Sequence, residues 1–589
     1  MIHKNHLFKI ALILVISSPF QGLAQNLSTP FEQDDNQSSS YHDVIDYYQR
    51  LAAWHPDQVQ LTSHGSTDVG FPLHTVVIDL DGDFDPVSAK AKGKVIVFVN
   101  NAIHPGEPCG IDASMMFGRD LLNGKLDRSL LEKVTLVVVP VYNIGGSLNR
   151  GAFSRANQNG PAAYGFRGNA RNLDLNRDWV KADSRNAKTM NKIFGYWKPH
   201  IFIDNHTSNG ADYQYSITLI ATQHNKLQTD LAQLMNQQML PFLYNAMLER
   251  DWEMTPYVYA RSTPDKGIAG FLDLPRYSSG YAALHNAISF MPETHMLKPF
   301  KNRVWSVYHF MDAMLHFVQD NHQLVLDTKA KADQATQAQS SFDLNWSLDQ
   351  SRADTIQFKG YTPKYKPSLI SGKDRLYYDR AAPFTTSIPH YNYYQSTLSV
   401  EKPAAYYIPQ AYQDVIDRLR WNGVELQRLE KDTPLEMDFY YIKDYKSRTS
   451  PYEGHYLHYN VEAEQKTLKI EALKGDYIVY ANQASNQYIL HTLEPQAPDA
   501  FFAWNFFDGI LMQKEHFSSY VFEDLAYSYL EENPALKAKL ETKKEEDEQF
   551  AGSARAQLNF IYEHSPYYEP TYRRYPIARL SKEQIKVID

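Results

Sequence analysis

Residues 94–110 have the sequence KVIVFVNNAIHPGEPCG, in which a continuous apolar run ends in a turn rich in polar and small residues. A run without polar alternation is typical of a strand that is buried on both faces. Comparable runs occupy residues 134–141, 200–204 and 288–291, and stretches with helical spacing separate them. We therefore predict an α/β layer fold, in which helices cover both faces of a sheet.

The rest of the chain divides by composition. Helical spacing is also found in residues 41–54, 111–122, 183–197, 226–250 and 303–318, and residues 213–221 indicate a further strand. Gln, Asp, Lys, Ala and Ser dominate residues 321–342, which predicts a linker or an exposed helix. The predicted units are an α/β domain (41–320), this linker (321–342), a β-rich domain with alternating Tyr-rich strands (343–497) and a mainly helical C-terminal region (498–589).

The bulk composition limits the classes of function. A chain of 589 residues is too long for a single hydrophobic core, so we expect several domains. Its formal net charge of −9 argues against nucleic acid as a partner. Cys109 is the only cysteine in the sequence, which excludes an internal disulfide, and we expect it to be a small buried residue.

The N-terminus has the features of an export signal. Lys4 and Lys9 precede or open the apolar run 10–16, and small residues follow at 22–24. A basic start, a short apolar centre and a small-residue exit predict a signal peptide over residues 1–24, with a membrane anchor as the alternative. We therefore expect an exported protein, periplasmic or secreted, whose mature chain has no membrane span and a net charge of about −11 (−9 − 2).

A metal site is predicted where two of the apolar strands end. In the turn after residue 100, Pro105 and Gly106 separate His104 from Glu107 and favour a rigid loop. His206 follows the apolar run 200–204, at a point where polar residues begin. Two His and one Glu are a ligand set that suits zinc and leaves a fourth position for water, as catalytic zinc sites require.

A base and several cations complete the predicted site. Glu293 comes directly after the run 288–291 and could remove a proton from an attacking water. Hydrolysis of a peptide bond also needs donors for the developing oxyanion, and a carboxylate is best bound by the fork of an Arg. Such groups are concentrated in the long segment between the second and third strands, at Arg155, Asn157, Asn176 and Arg177.

The order of these motifs resembles the carboxypeptidase A-type zinc metallocarboxypeptidases. The sequence has His-x-x-Glu, then Arg-x-Asn, then Asp-x-Asn-Arg, then a His and a Glu that each follow a strand. The resemblance covers about residues 41–318 and implies a mixed sheet in a three-layer α/β/α domain. The remainder is similar to the C-terminal extensions of bacterial members of this group. The resemblance implies one Zn²⁺ per chain, held by His104, Glu107 and His206, and a peptide substrate with a free C-terminus.

The resemblance also implies a role for each remaining residue. Arg155, in Ser-Arg-Ala-Asn, is the best match to the Arg that polarises the scissile carbonyl. Asn176 and Arg177 would bind the terminal carboxylate of the substrate, and Asp174 would orient His104. Glu293 would take a proton from the zinc-bound water and return it to the leaving amine. A Tyr that covers the substrate has two candidates, Tyr277 and Tyr281, and the side-chain preference stays open.

Two other functions are compatible with the sequence. One is a zinc amidohydrolase that acts on cell-wall peptides or acylated amino acids, because the carboxylate-binding pair suits these substrates too. The other is a glycan- or peptide-binding protein, since the chain contains 41 Tyr and exposed aromatic rings can form binding platforms. The presence of all three metal ligands and the base favours an enzyme.

Overall fold

A computed structural model describes residues 27–588 of the chain. The predicted signal peptide, residues 1–24, lies outside the described residues and stays a prediction. Between residues 27 and 588, no helix is long and apolar enough to cross a bilayer.

The centre of the protein is a mixed sheet of nine strands, as predicted. The first ten strands of the chain are β1 (Val59–Ser66), β2 (Pro72–Ile78), β3 (Val95–Asn100), β4 (Val134–Val139), β5 (Ile201–Asp204), β6 (His206–Ser208), β7 (Ile217–Ala221), β8 (Met254–Pro256), β9 (Ile268–Ala269) and β10 (Ile288–His295). Nine of these strands form the sheet, in the order β1-β2-β4-β3-β5-β10-β7-β8 with β6 paired to β10, whereas β9 pairs with a strand of the C-terminal half. The strands β4, β3, β5 and β10 run parallel to one another, so their carboxyl ends meet at one edge.

Ten helices accompany these strands in the described part of the chain. They are α1 (Pro30–Gln33), α2 (Tyr41–Trp54), α3 (Pro86–Ala91), α4 (Cys109–Leu122), α5 (Ile144–Leu148), α6 (Arg185–Trp197), α7 (Thr229–Leu234), α8 (Leu240–Glu249), α9 (Ser278–Ala283) and α10 (Phe300–Ala338). The predicted helix over 226–250 is thus α7 and α8, joined by a π-helical turn at Met235–Met239. The predicted strand over 213–221 is shorter and begins at Ile217.

Burial of both faces of β3 produces the three layers. Val97 and Val99 belong to one core, with buried residues of α2, α4, α8 and α10. Ile96 and Phe98 belong to a second core on the opposite face, with buried residues of α6 and α9. Successive strand residues point to opposite faces, so the continuous apolar run 95–99 supplies both cores at once.

The C-terminal half contains ten further strands and six further helices within the described residues. The strands are β11 (Ser341–Leu348), β12 (Asp354–Pro367), β13 (Asp374–Tyr391), β14 (Tyr394–Glu401), β15 (Ala405–Ile408), β16 (Gln427–Arg428), β17 (Thr433–Ser447), β18 (His458–Ala472), β19 (Tyr477–Tyr480) and β20 (Arg574–Leu580). The helices are α11 (Gln413–Trp421), α12 (Asn486–Leu493), α13 (Ser519–Glu532), α14 (Pro534–Glu546), α15 (Glu548–Ala551) and α16 (Ala554–Glu563). A β-rich part followed by a helical part is confirmed, but β20 returns to pair with β15 and β17 in the earlier sheet.

Residues 321–342, predicted to be a linker or an exposed helix, mostly continue α10, which ends at Ala338, and β11 begins at Ser341. Val325 and Ala332 are buried in the same core as the central sheet, and these small apolar side chains are easily overlooked among polar neighbours. Lys329 donates to the carbonyl oxygen of His285 at 3.0 Å, which ties the helix to the chain just before β10.

The C-terminal half is packed directly against the α/β domain. Tyr406 and Tyr488 belong to the same buried core as Phe98 and Trp179. The second face of the central sheet is therefore covered jointly by α6, α9 and residues from beyond position 400.

Candidate active site

Three neighbouring strand ends bring the predicted metal ligands and base together. His104 and Glu107 lie in the turn after β3, and His206 is the first residue of β6, just after β5. Glu293 lies in β10 and is the direct register partner of His206. The sheet order β3-β5-β10 thus converts three distant sequence motifs into one cluster, as the parallel arrangement predicts.

The three predicted ligands form a compact, buried group. One ligand atom from each of His104, Glu107 and His206 lies within 4.8 Å of the others. Nδ1 of His104 is 3.3 Å from Oε1 of Glu107, and Nδ1 of His206 is 3.2 Å from Oε2 of the same carboxylate. The two imidazoles and the carboxylate therefore converge on a single point.

A carboxylate behind each imidazole fixes its orientation. Nε2 of His104 lies 2.9 Å from Oδ1 of Asp174, and Nε2 of His206 lies 2.8 Å from Oδ2 of Asp204. A proton held on Nε2 by these contacts leaves the lone pair of Nδ1 free for a metal. The contact predicted for Asp174 is present. Asp204 was not predicted, although its place at the end of an apolar strand, two residues before His206, is the signal that could have identified it.

The donor set fits a zinc ion. Nδ1 of His104 is buried and has no hydrogen-bond partner, which is expensive unless a cation takes its lone pair. Burial alone would raise the pKa of Glu107, but the positive charges of His104 and Arg155 hold it well below its usual range. An ionised Glu between two Nδ1 atoms, which give up any proton when a metal binds, is a three-ligand set with an open position, typical of catalytic zinc.

A second group of carboxylates, at Asp79, Asp81 and Asp83, does not share these properties. Nζ of Lys94 lies 2.6 Å from Asp79 and 2.8 Å from Asp81, and Lys94 is buried. The ammonium group already supplies the positive charge that a metal would bring.

Glu293 faces the metal ligands in a cavity of about 420 Å³. Burial, reinforced by the charge of Glu107 and opposed by that of His206, raises the pKa of Glu293 to about 8. A carboxylate with a raised pKa is a stronger base, which is the property that proton abstraction near neutral pH requires.

Two arginines, not one, reach the metal ligands. Nη1 of Arg155 lies 2.8 Å from Oε1 of Glu107, and its Nη2 donates to the carbonyl oxygen of Thr207 at 3.4 Å. Arg167 was not predicted; its Nη1 lies 3.4 Å from the same oxygen, and its Nε lies 2.8 Å from Oδ2 of Asp174. Arg167, but not Arg155, is among the charges that most strongly affect Glu293.

Asn176 and Arg177 lie in the same cavity, as predicted for a carboxylate-binding pair. Oδ1 of Asn176 accepts a hydrogen bond from the N–H of Ser278 at 2.9 Å, which leaves its amide hydrogens for a ligand. The Arg177 guanidinium lies 4.4 Å from the ring centre of Tyr277, and its Nη1 donates to the carbonyl oxygen of Asn176 at 2.7 Å.

Of the two candidate tyrosines, only Tyr277 lines the cavity, and the prediction for Tyr281 is wrong. Tyr281 is fully buried, its ring centre is 4.9 Å from that of Trp179, and its hydroxyl donates to Oδ1 of Asn422. Tyr277 is the N-cap of α9, and Tyr281 lies one turn further on, where its side chain enters the core.

The wall beside Arg177 is apolar. Phe271 lies edge-to-face against Tyr277 with ring centres 5.0 Å apart. Met291 is two residues before Glu293 on β10 and pairs in register with Ile220 of β7. Among the described residues that line this cavity, the carboxylates are Glu107 and Glu293.

Comparison with known proteins agrees with this geometry. Residues 44–267 match the family model described as zinc carboxypeptidase. "Carboxypeptidase 2" of Trichophyton tonsurans is 23% identical over 432 residues, which cover 69% of this chain and 73% of that protein. "Carboxypeptidase 2" of Trichophyton rubrum is 23% identical over 445 residues, covering 72% and 76%. Both relatives are fungal, and the bacterial assignment stays a prediction.

Solved structures are similar at a lower level. Carboxypeptidase A of Helicoverpa armigera is 15% identical with a TM-score of 0.39, over 52% of this chain and 78% of that chain. A metallo-carboxypeptidase of Burkholderia cenocepacia is 17% identical with a TM-score of 0.34, over 46% and 69%. The family match over residues 44–267 and the curated relatives show an enzyme of the metallocarboxypeptidase type, whose α/β domain matches the zinc carboxypeptidase family.

Proposed function

We propose that the protein removes residues one at a time from the C-termini of peptides, with Glu293 as general base. The observation that carries this proposal is that one cavity contains the His-Glu-His cluster, Glu293 and the pair of Asn176 and Arg177. A hydrolytic centre beside a binding site for a carboxylate suits the last peptide bond of a chain.

One zinc ion would be held by His104, Glu107 and His206, with Asp174 and Asp204 fixing the two imidazoles. When bound, zinc lowers the pKa of a water molecule and polarises a carbonyl group. The residues of the chain must still bind the substrate, orient it and move the protons.

The terminal carboxylate of the substrate binds Arg177 and Asn176. The guanidinium stacks on Tyr277 and is held by a main-chain oxygen, so little freedom is lost when it binds a carboxylate. Asn176 donates from its amide nitrogen, because its oxygen already accepts from Ser278. These contacts place the last peptide bond towards the metal ligands.

Glu293 moves the proton in both halves of the reaction. It takes a proton from the attacking water and gives it to the departing nitrogen, so the new C-terminus and the released amino acid both leave in stable forms. Its raised pKa in the structure, about 8, reflects burial beside Glu107 and would fall in the presence of a cation.

For the developing oxyanion, Arg167 is better placed than the predicted Arg155. Arg155 is committed to Glu107 and to the oxygen of Thr207. Arg167 lies between Asp174 and the metal ligands, and its charge reaches Glu293, on the side where a scissile carbonyl would lie. We assign carbonyl polarisation to Arg167 and support of Glu107 to Arg155.

The side chain of the released residue meets the apolar wall of Ile220, Phe271 and Met291. With both cavity carboxylates engaged in chemistry, no described lining residue offers an acidic partner for a terminal Lys or Arg. Apolar and aromatic C-terminal residues are therefore the proposed substrates.

The two alternative functions predict different results in the same assay. An amidohydrolase would process cell-wall peptides or acylated amino acids but leave the ordinary peptides of the library intact. A binding protein would hydrolyse neither, and several Tyr of the C-terminal half, such as Tyr406, Tyr488 and Tyr575, are buried in the core rather than exposed as a platform. Export, directed by residues 1–24, is part of the proposal.

The test is mass spectrometry of a peptide library incubated with the mature protein. Each peptide is supplied with a free and with an amidated C-terminus, and each incubation is repeated with a zinc chelator and with zinc restored. Ladders shortened from free C-termini, lost on chelation and regained with zinc, support the proposal. Cleavage of amidated peptides at internal bonds, or no cleavage by protein that contains zinc, would refute it.

A further inference from the structure

The residues assigned to the substrate carboxylate lie on two short segments without regular strands. Asn176 and Arg177 are on residues 174–177, a single 3-10 turn, and Tyr277 is on residues 276–278, just before α9. We call these two stretches the carboxylate-binding segments. They are not at the end of a parallel strand, so the sheet alone does not fix their positions.

A loop from the C-terminal half contacts the first of these segments. The loop joins β17 to β18 and spans residues 448–457. Oε2 of Glu453 accepts a hydrogen bond from the backbone N–H of Asp174 at 2.8 Å, although the two residues are 279 positions apart. Two residues later, Nε2 of His455 lies 2.7 Å from Oδ2 of Asp183 and so anchors the loop a second time.

Asp174, the residue that Glu453 contacts, is itself bonded to several groups of the site. Its Oδ1 lies 2.9 Å from Nε2 of His104 and accepts from the N–H of Asn176 at 2.8 Å. Its Oδ2 lies 2.8 Å from Nε of Arg167. A shift of the Asp174 backbone would therefore be transmitted to the metal ligand His104, to Asn176 at the substrate carboxylate and to Arg167 at the scissile carbonyl.

Glu453 has an unusual backbone conformation. Its φ is +50°, in the left-handed region that residues other than Gly seldom adopt. Such a conformation costs free energy and persists where surrounding contacts over-determine it, often at functional sites. Here the contacts are the turn closed between Tyr452 and His455 and the bond to Asp174.

The second carboxylate-binding segment is held by the C-terminal half as well. Arg276, next to Tyr277, is buried, and its Nε lies 2.9 Å from Oδ1 of Asp499. The backbone N–H of Arg276 donates to Oδ2 of the same Asp at 3.0 Å. The guanidinium also lies 5.1 Å from the ring centre of Trp504, which stacks on Tyr452 of the loop.

We propose that the β17–β18 loop is a working part of the active site and that Glu453 is a positioning residue for the carboxylate of the substrate. The inference rests on the proposed function, because it assigns the ligand of Asn176 and Arg177. Glu453 acts through Asp174: it fixes the turn on which the carboxylate-binding pair lies. The C-terminal half thereby contributes to recognition of a free C-terminus rather than only covering the catalytic domain.

The test compares Glu453→Ala with Glu453→Gln in the full zinc-loaded chain, because Gln retains an oxygen that can accept from Asp174. Glu436→Ala, which removes an exposed Glu from β17, is the matched control. Four quantities are measured for each protein: kcat and KM on a peptide with a free C-terminus, the Kd of an N-acetylated apolar amino acid, and zinc content.

We expect Glu453→Ala to raise KM and Kd by roughly tenfold with unchanged zinc content, the size of effect that one hydrogen bond to a charged group has on binding. Glu453→Gln should restore most of the binding, and Glu436→Ala should match the wild type. A purely structural role would reduce the fraction of active enzyme, seen as a lower apparent kcat at constant KM, and would overturn the inference. So would unchanged KM and Kd in Glu453→Ala.

The proposed function and the proposed role of Glu453 are refuted by different results. If the wild type binds the acetylated amino acid but cleaves no peptide, the proposed function is refuted while Kd still tests Glu453. If the wild type trims peptides and Glu453→Ala does so with the same KM, the function stands and the inference is refuted.

Discussion

The proposed metal ligands and the proposed carboxylate-binding pair lie in two different parts of the protein. His104, His206 and Glu293 are fixed by neighbouring strand ends, where a buried parallel sheet sets their positions. Asn176 and Arg177 lie on a turn whose first residue, Asp174, donates its backbone N–H to Glu453, which is far away in the sequence. On the proposed function, the catalytic groups are therefore fixed by the central sheet, whereas recognition of the substrate C-terminus would depend on the contact between the two halves of the chain.

The largest expected effect concerns Glu293, which lies in the central sheet. Glu293→Gln removes the base but keeps the shape of the side chain, so kcat should fall by about 10³-fold or more while zinc stays bound. Turnover and zinc content are measured together, with the exposed Glu249→Gln as control. An active, zinc-containing Glu293→Gln enzyme would show that another group takes the proton.

The two arginines provide the next largest effect and separate chemistry from ligand support. Arg167→Ala should lower kcat by about 10²-fold, because a donor to the oxyanion is lost. Arg155→Ala should chiefly weaken zinc, by about 10- to 100-fold in affinity, since its Nη1 supports Glu107. Steady-state kinetics and zinc titration decide, with the exposed Arg185→Ala as control. The opposite result would mean that Arg155, and not Arg167, polarises the scissile carbonyl.

Part of the candidate site could be predicted from the sequence alone. The metal ligands and Glu293 could be predicted because each follows a contiguous apolar strand, and parallel strand ends converge. Arg167 could not be distinguished from Arg155, since both occur in an Arg-x-Asn motif within one long loop. Tyr277 and Tyr281 differ by one helical turn, and only the packing of Trp179 shows which side chain enters the core.

The contacts between the two halves of the chain could not be predicted from the sequence, for a different reason. The bond from Glu453 to Asp174 spans 279 positions, and neither residue is part of a periodic pattern. The burial of α10 beyond residue 320 was missed on similar grounds: polar composition over 321–338 concealed Val325 and Ala332, which pack against the central sheet. Local patterns predict elements, but which distant loops meet is decided by packing.

Substrate preference should produce a smaller effect. Peptides that end in Phe or Leu should have a kcat/KM roughly 10- to 100-fold above those of peptides that end in Lys or Asp, because Ile220, Phe271 and Met291 form an apolar wall. Competition between otherwise identical peptides in one reaction, followed by mass spectrometry, gives the ratios directly. A preference for basic ends would mean that the released side chain binds elsewhere.

The smallest expected effect concerns acid stability and asks whether the two halves unfold together. Burial lowers the pKa of His200, beside the central sheet, and of His491, in α12, each to about 3. The N–H of Ile96 donates to Nδ1 of His200 at 2.9 Å, which requires a neutral ring. Both groups are neutral in either state above pH about 6.5; below it the unfolded chain binds protons that the folded chain does not, so stability is lost as pH falls from about 6.5 towards 3.

At pH 5 each of these His should cost about 2 kcal/mol of unfolding free energy relative to pH 7. His491→Phe should remove about one proton from the pH dependence, and His516→Phe, at an exposed position, is the matched control. Denaturant titrations at several pH values test this. Because both His lie near the shared core, one transition is expected; two transitions with separate pH dependences would show that the halves unfold independently.

The most direct measurement of the central claim is the ratio of kcat/KM for a peptide with a free C-terminus to that for its amide, in the wild type and in Arg177→Ala. We predict that the wild type prefers the free peptide by about 10²-fold or more and that Arg177→Ala loses most of this preference while retaining its zinc. An unchanged ratio in the variant would contradict the assignment of the carboxylate site and, with it, the division of labour between the sheet and the interface.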